Sequence, residues 1–329
     1  MGPALEPGEL RSVPRVAALE RLLARASIEN KEPLPYEAEL CDLFGVKAAP
    51  GRDLPIAALT HLVDFDDGHE GVWMRADPVY LHPDLSKLLL LLDAEALRIE
   101  RADAQSLLEE LNAGLNEEDW RLIMGKDPAR WYLHLKSLPE IRTCPPLAAL
   151  GRPVDSYLPA GPESRRWQRL TNEAQMILHA AEINRTRQTR GDMPVNSLWF
   201  WGAGTLPYVP PGRWSWVFGD DLLVQALAKH CACPYGNTPI TVLSLFAEQN
   251  IGSTPLVVIS AGRRLRQAHD VAGWRDYLSN LEKNWFVPIL ALLRQGHLAS
   301  VELLADACLW GLTKRTLWRF WKKTKPLGR

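Results

Sequence analysis

The stretch Thr171–Pro207, TNEAQMILHAAEINRTRQTRGDMPVNSLWFWGAGTLP, constrains the fold of this chain more than any other. Leading into it, Trp167, Leu170, Ala174, Ile177, Leu178 and Ala181 recur at three- and four-residue steps, the period of a helix with one apolar face. Arg185, Arg187 and Arg190 crowd the last turns, where cations suit the helix dipole, and Gly191 with Pro194 supplies the stop. The run VNSLWFW then reads as a strand of β-branched and aromatic residues ending in Gly202-Ala203-Gly204. Helix, buried strand and glycine turn in succession can present backbone N–H groups and arginines to an anion. The same pattern is also that of an ordinary structural turn, since GxG without the rest of a nucleotide fingerprint is common.

A chain of 329 residues can form two domains, or one large domain with an insertion. Its 47% hydrophobic and 23% charged residues are those of a soluble globular protein, and a net charge of −1 gives no whole-molecule attraction to nucleic acid. The five cysteines, Cys41, Cys144, Cys231, Cys233 and Cys308, form no regular framework and point to a reduced, cytoplasmic compartment. The longest apolar run, residues 88–92, is too short to span a bilayer.

Along the chain, residues 1–13 read as a flexible leader. Val16, Leu19, Leu22, Leu23 and Ala26 predict a first helix, and residues 36–44 a second that Gly45 ends. Residues 55–63 fit helix or strand equally. VWMRADPVYL at 72–81 predicts a strand broken at Asp77-Pro78, residues 87–93 a buried strand, residues 103–115 a helix and residues 130–136 a strand. The Pro- and Gly-rich loop 143–162 is the expected internal boundary or ordered connector between an N-terminal α/β region, 14–142, and a C-terminal one, 163–329. Asp220 is placed to cap a helix, residues 254–260 read as a strand, residues 274–293 as an amphipathic helix and residues 297–306 as a further strand. The predicted fold class is therefore α/β, a mixed sheet with flanking helices.

Several clusters carry potential chemistry. Asp64, Asp66, Asp67 and His69 have hard-ligand character suited to a divalent cation, in a spacing that also describes a solvated Asp-Gly turn. His230, Cys231 and Cys233 offer soft ligands, but no second cluster completes a zinc set, and a helix end with small thiols accounts for them. His179 lies on the Thr171 helix without a nucleophile motif to activate and reads as a packed or hydrogen-bonded histidine. After Asp306 come Lys314, Arg315, Arg319, Lys322, Lys323, Lys325 and Arg329, interleaved with Leu317, Trp318, Phe320 and Trp321, and no acidic residue. The preferred reading is a terminal helix with its aromatics docked in the core; a surface for nucleic acid or anionic membrane is the alternative.

The segment Asn184-x-x-Arg187-x-x-x-Gly191-x-x-Pro194-x-Asn196, followed by Gly202-x-Gly204, resembles the substrate-domain motif of archaeal-type cofactor-independent phosphoglycerate mutases. From about Pro14 onward the chain is also similar to bacterial proteins described as phosphoglycerate-mutase-like or as regulatory proteins of the RpfE type. WMRADPVYL at 73–81, LLLLDAEAL at 89–97, LPAGPESRRWQRLTNEAQMILH at 158–179 and PVNSLWFWGAGTLP at 194–207 carry that likeness. The resemblance implies an alkaline-phosphatase-like fold, in which a Ser nucleophile and two metal ions held by Asp and His do the chemistry. The family pattern has His-Pro-Val-Asn where this chain has Ala181-Glu182-Ile183-Asn184, and an arginine where it has Trp201.

The resulting expectation is a cytoplasmic protein with a regulatory or binding role, needing no cofactor, whose substrate-type motif binds a small phosphorylated or other anionic ligand. Arg75, Asn184, Arg187, Asn196, Gly202 and Gly204 would form the site. The competing expectation is an active phosphoryl-transfer enzyme using Mn²⁺ or another divalent ion, with Asp64, Asp66, His69, Asp220, Asp221, His269 and Asp270 as candidate ligands. A scaffold that binds nucleic acid or protein through its basic C-terminal segment is the third.

Overall fold

A computed structural model describes residues 14–65, 71–84, 87–115, 120–209, 212–246, 252–267, 270–305 and 307–327. The expected leader, together with Asp66, Asp67, His69, His269 and Arg329, lies outside these residues. In chain order the first elements are α1 (Ala17–Arg25), β1 (Ser27–Asn30), α2 (Tyr36–Leu43) and α3 (Ile56–Phe65). There follow β2 (Val72–Asp84), β3 (Lys87–Leu92), α4 (Arg101–Gly114), β4 (Arg121–Met124) and β5 (Trp131–Leu135). Next come α5 (Pro146–Ala149), α6 (Ser164–Ala180), α7 (Glu182–Thr189), β6 (Ser197–Gly204), β7 (Trp216–Phe218) and α8 (Leu222–His230). The last elements are β8 (Tyr235–Gly236), α9 (Val242–Leu245), β9 (Pro255–Val257), α10 (Gly262–Gln267), α11 (Val271–Leu281), α12 (Val287–Gln295), β10 (Ser300–Ala305) and β11 (Cys308–Thr313). The predicted α/β class is present, distributed over several sheets. No helix among the described residues is long and apolar enough to cross a membrane.

The chain divides into two compact units, one of residues 40–212 and 222–233, the other of residues 1–39, 213–221 and 234–329. The expected connector at 143–162 is thus not a boundary. Its backbone is bonded into the first of these units, Arg142 to Ala160 and Gly151 to Leu90, so proline and glycine here shape an ordered loop.

The unit of residues 40–212 is built on β2. This strand pairs antiparallel with β5 through Val72–Arg75, with β3 through Tyr80–Asp84, and with β6 from Trp73 to Val79. The expected break at Asp77-Pro78 does not occur. Pro78 sits in the stretch 76–79, which ladders to β6 and to neither β5 nor β3, so its missing N–H removes no ladder bond on the other edge. The strand expected to be fully buried, β3, is half-exposed. α6 lays Trp167, Leu170, Ala174 and Leu178 against the sheet, and the Trp167 ring meets Phe200 edge-on. All eight positions of β6 are buried, which explains why SLWFWGAG reads as continuous rather than alternating hydrophobicity.

The other unit holds a parallel sheet in the order β8-β7-β9 and an antiparallel sheet in the order β1-β11-β10. Its core gathers Leu22, Phe218, Trp285, Leu290, Leu293, Leu312 and Leu317. The predicted amphipathic helix is α11 and α12 joined by a π-helical turn, Glu282–Phe286, where Pro288 withholds an N–H. The expected terminal helix is absent from the described residues: only Thr316–Trp318 form a 3-10 turn, and beyond it the aromatics are exposed.

Candidate anion-binding site

The predicted site residues all lie on or beside β2, α7 and β6, and their hydrogen-bonding capacity is turned inward. Asn184 Nδ2 donates to the carbonyls of Leu178 and Val195, each at 2.7 Å, while its Oδ1 accepts from Val195 N–H at 2.9 Å. This side chain closes the loop between α7 and β6. Arg187 is fully buried; its guanidinium donates to Asp103 at 2.8 Å, to Leu97 O at 2.8 Å and to Met193 O at 3.1 Å. Arg190 donates to the same Asp103 carboxylate, so α4 is clasped by two arginines. Asn196 pairs with both backbone groups of Leu81, at 2.8 and 2.7 Å, extending the β2–β6 ladder by side chain.

Arg75 occupies a separate pocket of the same unit. Its guanidinium donates to Asp77 at 3.0 and 2.5 Å, the second Asp77 oxygen accepts from Trp201 Nε1 at 2.7 Å, and the cation lies over the Tyr132 and Trp201 rings. Burial opposes charge on Arg75, yet the adjoining Asp77 carboxylate and Tyr132 hold the guanidinium above its usual range. Trp201 therefore completes a closed Arg-Asp-Trp unit.

A second charged unit neighbours it. Asp64, a candidate metal ligand only under the competing expectation, is buried and accepts from Arg130 at 2.6 and 2.9 Å, from Tyr132 Oη at 2.7 Å and from Lys126 N–H at 3.2 Å. Desolvation would raise this carboxyl, but the bonds from Arg130 and Tyr132 outweigh it and hold it below the ordinary range. Tyr132 is pushed the other way, chiefly by its own burial.

The expected glycine turn lies within β6, and close approach requires its glycines. A Cβ on Gly202, where φ is +67°, would sit 3.0 Å from Ile56 Cβ, and one on Gly204 would collide with Pro55. Glycine here lets α3 pack against β6. The chain supplies its own anion nearby: Gly202 N–H donates to Thr143 Oγ1 at 3.1 Å, and Thr143 in turn donates its N–H and its hydroxyl to the Asp53 carboxylate. Burial is the largest influence on Asp53 and raises its pKa against these bonds. Sequence reasoning missed Asp53 and Thr143. Asp53 had a signal, a carboxylate just ahead of Leu54-Pro55 and a helix start, but nothing local pairs it with residues 90 and more positions away.

The structure accordingly does not gather Arg75, Asn184, Arg187, Asn196, Gly202 and Gly204 into one open cleft. Arg75 and Arg187 share no partner, and neither donates to the turn.

With this geometry in view, residues 42–184 match the family model of 2,3-bisphosphoglycerate-independent phosphoglycerate mutase, a span under half the chain and within the unit built on β2. A mutase of that description from Methanosarcina barkeri is 30% identical over 122 residues, 37% of this chain and 31% of that protein. Its counterpart from Methanosarcina mazei is 28% identical over 140 residues, 42% of this chain and 35% of the relative. This part of the chain is phosphoglycerate-mutase-like. It spans about a third of the length of these relatives. A solved cofactor-independent phosphoglycerate mutase from Thermoplasma acidophilum aligns over 95% of this chain and 87% of its own at 17% identity, with a TM-score of 0.43, an agreement too low to assign the fold by itself.

The remaining candidate metal ligands of the mutase-like chain do not fit a metal set. Asp220 accepts from Thr238 N–H, Asp221 from Tyr36 Oη, and Asp270 caps α11 through Gly273 N–H. Among the described residues no three His, Cys, Asp or Glu side chains group as ligands for a metal ion. His230 bonds Pro207 O at 2.6 Å, and the Cys231 thiol is pushed up to about 11 by burial and by Cys233, the profile of a helix end. His179 is exposed rather than packed.

Proposed function

We propose that this mutase-like protein is a binding protein with a regulatory role rather than a phosphotransfer enzyme, and that its ligand is a small phosphorylated or other anionic molecule. The observation that carries the reading is Thr143 beside Gly202: its hydroxyl takes the Gly202 N–H, and its own N–H and hydroxyl both donate to the buried Asp53 carboxylate, a donor set suited to an anion. An external anion of like geometry would reach these donors by displacing Asp53. The engagement of Asp64 by Arg130 and Tyr132, and of Asp220, Asp221 and Asp270 by N–H and O–H donors, supports the absence of turnover.

The test pairs calorimetric titration of 3-phosphoglycerate with an assay for 2-phosphoglycerate in the presence of Mn²⁺. Binding without turnover is expected, with affinity increased about tenfold in Asp53→Asn, where the carboxylate no longer competes. Turnover at enzyme-like rates establishes the competing enzyme reading. No binding by either the natural chain or Asp53→Asn removes the anion site.

A further inference from the structure

The segment that follows β11 is built as a presented surface. Thr316 and Thr313 bond each other reciprocally, Thr316 N–H to Thr313 Oγ1 at 3.2 Å and Thr313 N–H to Thr316 Oγ1 at 3.0 Å, which folds the chain into the 3-10 turn. Leu317 is buried in the core, and its carbonyl accepts from Arg25 at 2.8 Å. Arg319 reaches the carbonyls of Arg25 and Ala26 at 3.4 and 3.2 Å, at the C-terminal end of α1, and Lys322 reaches Ala26 O at 3.5 Å. Leu317 is thus the inward position and Arg319 is half-buried. Trp318, Phe320 and Trp321 face outward at 70, 76 and 67% exposure, flanked by exposed Lys314, Arg315, Lys323 and Lys325.

Large aromatics this open, on a backbone fixed by hydrogen bonds and held by a buried leucine, are not explained by the fold. We infer that this segment docks the protein onto an anionic lipid surface, with Trp318, Phe320 and Trp321 entering the interface and Lys314, Arg315, Lys323 and Lys325 meeting the headgroups. Tryptophan and phenylalanine next to lysine and arginine are the residues that bind at a membrane boundary, and no acidic residue after Asp306 opposes them. The backbone bonds hold the aromatics outward before contact, so little ordering entropy is lost on docking.

The same composition could serve a nucleic acid, but two observations favour lipid. Phe320 and Trp321 lie edge to face, centroids 5.4 Å apart at 79°, so they do not offer the parallel open faces on which successive bases stack. The chain's net charge of −1, with Arg319 and Lys322 turned toward backbone carbonyls, gives no extended basic groove for a polyphosphate.

Flotation of the full chain with phosphatidylcholine vesicles, and with vesicles that also contain phosphatidylserine, tests the inference. Recovery with the anionic vesicles is expected to exceed that with phosphatidylcholine by about tenfold or more and to fall as salt rises. Trp318→Ala/Phe320→Ala/Trp321→Ala is expected to abolish the recovery, and Lys323→Glu/Lys325→Glu to reduce it by about tenfold or more. The lysine pair touches only exposed side chains and keeps the test intact should the aromatic variant misfold, which its far-UV spectrum would reveal. Equal recovery with both lipids, no recovery, or variants that float like the natural chain would overturn the inference. So would displacement from vesicles by a single-stranded oligonucleotide at lower concentration than by soluble phosphoserine headgroup, which would assign the surface to nucleic acid.

Discussion

The two units deal with charge in opposite ways. The unit built on β2 takes Arg75, Asp77, Asp64, Arg187 and Asp103 into its interior and neutralises each against a fixed partner. The other unit keeps many of its charged groups nearer solvent: Arg263 stacks over Tyr36 and bonds Glu37 while more than a quarter exposed, and Lys314, Arg315, Lys323 and Lys325 after β11 stand in water. A buried ion pair is costly to break and adds little net stability over an apolar replacement, whereas an exposed one is weak in both respects. The difference teaches that the charged groups of the first unit, Arg187 and Asp103 among them, spend their bonding capacity on partners within the chain.

The contrast can be broken most decisively at Arg187. Arg187→Ala leaves Asp103 buried with one arginine fewer and is expected to cost about 3–5 kcal/mol in urea unfolding, with Lys failing to rescue because an ammonium cannot span Asp103, Leu97 and Met193. Gly204→Ala, which drives a methyl into Pro55, should lower stability by about 1–3 kcal/mol on the same measurement. Asn196→Ala exposes the unpaired backbone of Leu81 to a loss of about 1–2 kcal/mol. Arg263→Ala in the other unit should change stability by less than about 1 kcal/mol. A larger effect at Arg263 than at Arg187 would reverse the assignment of the two units.

Acid titration sharpens the comparison within the first unit. The folded pKa of Asp64 is depressed below its ordinary 3.8, so its stabilising contribution is complete above that value and is lost as pH falls through the lower, folded one. Asp53 is raised, so its ionised form weakens the fold at neutral pH and protonation relieves this as pH falls through the raised value. Asp64→Asn should therefore flatten the acid limb of the stability profile below pH 3.8, while Asp53→Asn removes a gain at higher pH, both read by chemical denaturation across pH. Identical profiles for the two variants would contradict the opposite signs.

Much of the fold was legible because local period and local burial agree. α1, α4, α6 and β10 carry their apolar residues at helical or strand spacing, and Gly45 and Gly191 stop helices where a left-handed residue is needed. Pro78 misled because a proline's effect in a strand depends on which edge is paired. For the loop 143–162 composition left open a domain boundary or an ordered connector, and the backbone bonds of Arg142, Ala160 and Gly151 show the ordered loop. At the candidate site, Asn184, Arg187 and the glycines were identifiable as special, but their role was not.

The sequence by itself determined the α/β elements, the buried character of SLWFWGAG and the likeness to phosphoglycerate mutases, since these reside in short-range pattern and in motif. Only the tertiary structure decided what the motif's polar groups face. Asp53 reaches Thr143 and Arg187 reaches Asp103 across 84 or more residues, and only folding decides whether an arginine or an N–H meets a ligand or a carboxylate of its own chain. The same holds after β11, where a pattern read as a docked helix becomes a turn with its tryptophans outward, because Leu317 alone finds room in the core.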